Sequence, residues 1–101
     1  MTTRPLTTAL TETIDTIRDS IGDCHGDPLA DVRVLSGDDA NQINPDCAVV
    51  IAYDGAGYHY LSTESDSIGT ANMNRERLIS IGEHLGYEGQ ILNAWSIGFI
   101  L

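Results

Sequence analysis

The sequence predicts an α+β domain in which two helices pack on a mainly antiparallel sheet of about four strands. Three observations predict it: an amphipathic helical pattern near the N-terminus, a second one in residues 74–86, and apolar, strand-like runs between and after them. The resulting order is helix, strand, hairpin, helix, strand. Because the strands do not alternate strictly with helices, an antiparallel sheet is favoured over a parallel one.

The first helix is indicated by apolar residues that recur every three or four positions, the spacing that places side chains on one helical face. This stripe consists of Leu6, Leu10, Ile14, Ile17 and Ile21. Gly22 is expected to end the helix, because glycine is a common terminator.

The middle of the chain is predicted to hold three strands. Alternation of valines with polar residues in 29–35 indicates a short strand, and the polar residues 36–46 indicate a long loop. The continuous apolar run 47–53 is typical of an inner strand that is covered on both faces. Residues 54–57 form the expected hairpin turn, and 58–62 the returning strand.

The second helix is expected to start at Asn74 as its N-cap and to end at Gly86, a favourable residue just after a helix. Its apolar stripe consists of Leu78, Ile81 and Leu85. Period-two alternation in 91–101 predicts a final strand within the sheet, with Asn93 as the one polar exception on its apolar face.

The chain has 101 residues, and we expect a single domain over 1–101. No apolar run approaches the roughly 18 residues that a membrane span requires. The N-terminus lacks the apolar segment of a secretion signal, so a cytoplasmic location is expected. Both cysteines, Cys24 and Cys47, are expected to be reduced thiols.

The charge balance is the most unusual feature of the composition. Fifteen acidic residues face five basic ones, all of them arginine, and the formal net charge is −10. Such a charge repels nucleic acids and anionic membranes and attracts cationic partners. We therefore expect neither direct nucleic-acid binding nor membrane binding.

No pattern in the sequence predicts a catalytic site, a metal site or a cofactor. Cys24, His25, Cys47 and His59 fit no zinc-binding spacing, and the segment around Asp38 lacks the alternating acids of a calcium loop. A glycine-rich turn at 54–57 lacks the lysine of a phosphate-binding loop. The sequence therefore predicts a protein that is not an enzyme, although a triad assembled only in space remains an open alternative.

The arrangement of the acidic residues is the one pattern in the sequence that indicates a binding surface. Glu12, Asp15 and Asp19 are spaced i, i+3 and i+7, so they share one face of the first helix, where like charges repel one another. Such a stripe is typical of a helix that contacts a basic surface, and also of an exposed helix face that is charged only because it faces solvent. The expected partner-binding residues are Glu12, Asp15, Asp19, Asp23, Asp38 and Asp39. Four tyrosines are a second possible anchor: Tyr53, Tyr58, Tyr60 and Tyr87.

The leading functional hypothesis is a small inhibitor or adaptor, monomeric or homodimeric, that docks on a basic protein surface and in its sharpest form blocks a nucleic-acid enzyme. In size, acidity and lack of a catalytic motif the chain is similar to anti-CRISPR and anti-restriction proteins and to immunity proteins of toxic nucleases, but no motif identifies a family. Alternatives are a housekeeping domain of a salt-adapted organism, and a homodimeric subunit whose C-terminal strand pairs across a two-fold axis.

Overall fold

A computed structural model describes residues 5–21, 32–53, 58–62 and 68–100. These residues form a four-stranded antiparallel sheet of order β1-β2-β4-β3, which confirms the predicted α+β class. The strands are β1 (Arg33–Ser36), β2 (Val49–Ala52), β3 (Glu88–Asn93) and β4 (Ser96–Ile100). The helices are α1 (Leu6–Ile21), α2 (Gly37–Ile43), α3 (Tyr58–Leu61) and α4 (Ile68–His84).

The two long helices, α1 and α4, lie on the same face of the sheet, as the sequence predicts. Four members of the α1 stripe are buried there: Leu6, Leu10, Ile14 and Ile17. They join Leu78 of α4 and the inward side chains of β2 and β4 in one apolar core. The side chain of Ile21, the last member of the stripe, lies outside the described residues.

The approach of α4 to the sheet is set by glycine. A Cβ atom at Gly82 would overlap the ring of Phe99 on β4, so only glycine allows this close packing. Gly86 has φ +92° directly after the helix, which confirms its predicted role as the terminating residue. The predicted start is wrong, because α4 begins at Ile68 and Asn74 lies inside it.

The predicted loop 36–46 is wrong, because it contains α2. This helix covers the opposite face of the sheet, where Ala40, Cys47 and Val50 form a second, smaller core. Gly37 has φ +58° at its first position. Gly, Asp and Asn favour turns and helix starts alike, so their abundance indicated a loop although a short helix forms.

The inner strand is confirmed, since all four residues of β2 are buried. The predicted returning strand 58–62 is wrong, because residues Tyr58–Leu61 form α3. The turn expected at 54–57 lies outside the described residues. Side chains of α4 hold α3 in place: Asn74 Nδ2 donates to Tyr60 O (2.9 Å), and the buried Arg75 donates through Nη1 to Leu61 O (2.8 Å).

The predicted single C-terminal strand is a hairpin, β3 and β4. Asn93, the polar exception in the pattern, begins the turn between them. Its Oδ1 atom accepts hydrogen bonds from Trp95 N (3.0 Å) and from Ser96 Oγ (2.9 Å). Because β4 lies between β2 and β3 in the described sheet, it has no open edge and is not available to pair across a two-fold axis. Residues 91–93 of the predicted C-terminal strand belong instead to β3, which lies at the edge of the sheet.

Candidate protein-binding surface

The outer face of α1 carries three of the six predicted contact residues. Glu12, Asp15 and Asp19 are all exposed and lie on the side of the helix away from the buried stripe. At 1.5 Å rise per residue, their Cα atoms are separated by about 4.5 Å and about 6 Å along the helix axis. The predicted stripe of carboxylates on one helical face is therefore present.

One cation lies within this acidic face. Arg18 Nη1 contacts Asp15 Oδ1 at 2.5 Å, and the two side chains are 33% and 57% exposed. An exposed ion pair of this kind contributes only about 0–1 kcal/mol to stability. Arg18 therefore reduces the negative field near Asp15 without removing the carboxylate from solvent.

Toward the N-terminus of α1, threonines continue this surface. A shallow depression there is lined by Thr7, Thr8 and Thr11, together with Glu12 of the acidic face. The hydroxyl of Thr11 donates to Thr7 O (2.8 Å), and the hydroxyl of Thr16 donates to Glu12 O (3.0 Å). Because these hydroxyls donate to the helix backbone, the charged groups on this face of the described part of α1 are the carboxylates and the guanidinium of Arg18.

The other predicted contact residues do not join this face. Asp38 and Asp39 are exposed in the first turn of α2, and the sheet separates α2 from α1. There they stabilise the positive end of the helix dipole, which is a local structural role. Asp23 lies outside the described residues. The six residues therefore do not form one surface, and only the α1 group is assembled on one element.

Nine of the fifteen acidic residues lie in the described part of the chain, and all nine are exposed. Four that the predicted contact set omits are spread over both sides of the sheet. Glu76 and Glu83 lie on α4, and Asp46 follows α2. Glu88 begins β3 opposite Ile100, a position that the sequence pattern missed because it placed the last strand from residue 91. The acidity is thus a property of much of the described surface.

Of the four tyrosines that could form a second anchor, the structure excludes Tyr53 and leaves Tyr60 and Tyr87 partly exposed. Tyr53 is fully buried in the core, and Tyr60 and Tyr87 are half-buried against it. Among the side chains that the structure describes, the large apolar ones that are exposed are Met73 on α4, Ile91 on β3 and Trp95 in the hairpin turn. Sequence periodicity missed Trp95, because it read the turn as a strand.

Cys47 is buried in the second core and is not arranged for nucleophilic chemistry. Burial and the neighbouring charge of Asp46 raise its pKa above the ordinary value of 9.0, against a smaller lowering by a backbone hydrogen bond with Phe99. At neutral pH the thiol is therefore protonated and a weak nucleophile. Within the described ranges, no three His, Cys, Asp or Glu residues are grouped so that they could hold a metal ion.

Comparison of the chain with protein-family models, with curated proteins and with solved structures gave no match. Of the helices in the described part of the chain, none combines the length and the apolar character needed to cross a membrane.

Proposed function

We propose that this chain is a small binding protein, an inhibitor or adaptor, that docks on a basic surface of a partner protein through the outer face of α1. The observation that supports the proposal is the exposure of Glu12, Asp15 and Asp19 on one face of one helix. The net charge of −10 adds long-range attraction toward a cationic partner. In this mechanism the charge accelerates the encounter, and the α1 carboxylates pair with Lys or Arg of the partner.

The partner class that fits best is a protein with a groove rich in Lys and Arg, as found in enzymes that bind nucleic acids. Duplex DNA carries one charge per about 1.7 Å of axis. The three α1 carboxylates extend over about 10 Å, where duplex DNA carries about six charges. The three carboxylates and the guanidinium of Arg18 together give this face a net charge of about −2, which is about a third of the charge density of DNA. We therefore propose that it occupies part of such a groove and excludes the substrate sterically.

The proposal is tested by removing the three charges without changing side-chain size. The variant is Glu12→Gln, Asp15→Asn, Asp19→Asn. The matched control is Glu76→Gln, Glu83→Gln, Glu88→Gln, which removes three exposed charges elsewhere. Each immobilised protein is used to capture proteins from lysate at low salt. Captured nucleic-acid enzymes are purified, and their substrate binding is titrated with each variant.

The expected result is a partner that the wild type and the control bind and inhibit, and that the α1 variant does not. Circular dichroism of the three proteins should be the same, because all six substituted side chains are exposed. Equal binding by the α1 variant and the control would contradict the proposed contact. Failure of the wild type to inhibit any captured enzyme, despite binding, would contradict the enzyme-blocking form of the proposal.

A further inference from the structure

β3 is an edge strand with an apolar side chain at its centre. It has a strand neighbour only on the β4 side of the described sheet. Ile91 is 46% exposed, and Trp95 in the adjoining turn is 37% exposed. Glu88 at the start of β3 is its one charged residue, and the strand contains no proline. Edge strands in soluble proteins are usually protected from pairing by central charges, proline or β-bulges. β3 has neither a central charge nor proline, and its irregularity lies between Ile91 and Asn93, near its C-terminal end.

The backbone groups at the open edge can be identified from the hydrogen bonding on the other side of the sheet. Tyr53 N donates to Trp95 O (2.9 Å), so Trp95 and alternate residues after it direct their backbone polar groups toward β2. The residues between them, Gly98 and Ile100, direct theirs toward β3, where they face Gln90 and Glu88. By the same alternation, Gly89 and Ile91 direct their N–H and C=O groups toward the open edge.

We propose that β3 pairs antiparallel with β3 of a second copy of this chain, with Gln90 on the two-fold axis. In this register Gly89 lies opposite the second copy's Ile91, and Ile91 lies opposite the second copy's Gly89. Each of the two pairs exchanges two hydrogen bonds, so all four outward groups of each strand are satisfied. The irregularity between Ile91 and Asn93 lies beyond the three central residues of this register.

Side-chain packing favours the same register. Gly89 has no side chain, and Ile79 lies next to it, since its Cγ2 atom is 2.8 Å from where a Cβ atom of residue 89 would be. Directly opposite residues of an antiparallel pair share a face. Ile91 would therefore cover the second copy's Gly89 and contact its Ile79, which buries the most exposed apolar side chain of β3.

The charge of β3 itself does not prevent this pairing. In this register the two Glu88 residues are offset by four positions, about 13 Å along the strands, which exceeds the screening length of about 8 Å at physiological ionic strength. The net charge of −10 on each copy still opposes association at long range. Dimerisation through β3 should therefore strengthen with salt, whereas docking of α1 on a basic partner should weaken with salt.

The test is sedimentation equilibrium over a series of protein concentrations, at about 0.1 M and about 1 M salt, where the screening length falls from ~10 Å to ~3 Å. We expect a monomer–dimer equilibrium that shifts toward dimer at the higher salt. Ile91→Lys should be monomeric, although it reduces the net negative charge. The control Met73→Lys makes the same charge change at a 72% exposed site on α4 and should dimerise like the wild type.

A second measurement needs no substitution. Amide hydrogen exchange at Gly89 and Ile91 should slow as the wild-type concentration rises, while exchange at exposed sites of α1 stays unchanged. A wild type that is monomeric at both salts would overturn the inference. So would a dimer with unprotected Gly89 and Ile91 amides, or one that Ile91→Lys leaves intact. Because α1 is not involved, failure of this inference and failure of the proposed α1 contact are distinguishable.

Discussion

At the scale of single residues, Gly82 shows how one missing side chain positions a helix. The ring of Phe99 occupies the space where a Cβ atom of residue 82 would lie. Gly69, in the first turn of the same helix, has open space around its Cβ position. Gly69 is therefore a matched control for Gly82, because both lie in α4 but only Gly82 is packed against another side chain.

We predict that Gly82→Ala lowers the free energy of unfolding by about 1–3 kcal/mol, because the added methyl group overpacks a tight contact. Gly69→Ala should leave it unchanged or raise it by up to about 1 kcal/mol, because alanine favours the helix. Urea denaturation of both variants checks this. Equal effects at the two positions would show that Gly82 does not limit the approach of α4 to Phe99.

Arg75 is a buried cation on α4 whose side chain caps the C-terminal end of α3. It is 6% exposed and donates to Leu61 O, the last residue of α3, and to Asn72 Oδ1. A cation at a helix C-terminus is stabilised by the helix dipole. Its Nε atom has no hydrogen-bond partner within the described residues, so the site holds the guanidinium without fully satisfying it.

Arg75→Met should lower the free energy of unfolding by about 1–3 kcal/mol, since it leaves the buried carbonyl of Leu61 without its donor. The control Arg77→Met changes an exposed residue of the same helix and should stay within about 0.5 kcal/mol of the wild type. Thermal and urea unfolding of the pair measure the difference. A neutral Arg75→Met would mean that Leu61 O is satisfied in another way.

At the scale of elements, the position of Asp38 and Asp39 at the start of α2 gives these two predicted contact residues a structural role in stabilising the helix. Asp38→Asn with Asp39→Asn should destabilise the protein by about 0.3–1 kcal/mol for each charge, because both lie in the first turn of α2. Capture of a basic partner should persist, because the sheet separates α2 from α1. Loss of capture with unchanged stability would instead place the contact on α2.

The elements that could be predicted were those whose pattern is long. The α1 stripe spans several helical repeats, and the β2 prediction rests on a run of seven consecutive apolar residues; both predictions are confirmed. The four residues of α3 span one helical turn and also fit an alternating strand, so the sequence could not separate the two. In the C-terminal hairpin, apolar residues continue through the turn at Trp95, and only Asn93 indicated where the chain reverses.

The candidate site was predictable only in part, for a related reason. The i, i+3, i+7 spacing placed Glu12, Asp15 and Asp19 on one face without knowledge of the tertiary structure. Whether that face also includes Asp38 depends on which side of the sheet α2 covers. That placement is set by packing of Ala40 and Cys47 on Val50, contacts between segments that no local pattern encodes.

At the scale of the whole molecule, the net charge must be compatible with folding at ordinary salt if the acidity serves binding. We predict that the thermal midpoint at low salt stays high enough for full folding at room temperature and rises only modestly with added salt, as long-range repulsion is screened. Circular dichroism melts over a salt series measure this. Unfolding at low salt would favour the alternative of a domain adapted to a salty cytoplasm.

The proposed contact through α1 is tested most directly by the salt dependence of partner affinity for the wild type, the α1 variant and its control. Three exposed charge contacts of about 0.2–1 kcal/mol each predict an affinity loss of about 3- to 150-fold for Glu12→Gln, Asp15→Asn, Asp19→Asn at low salt. This loss should shrink at high salt, and the control Glu76→Gln, Glu83→Gln, Glu88→Gln should lose less at every salt concentration. Equal losses for the two variants would mean that overall charge, and not the face of α1, attracts the partner.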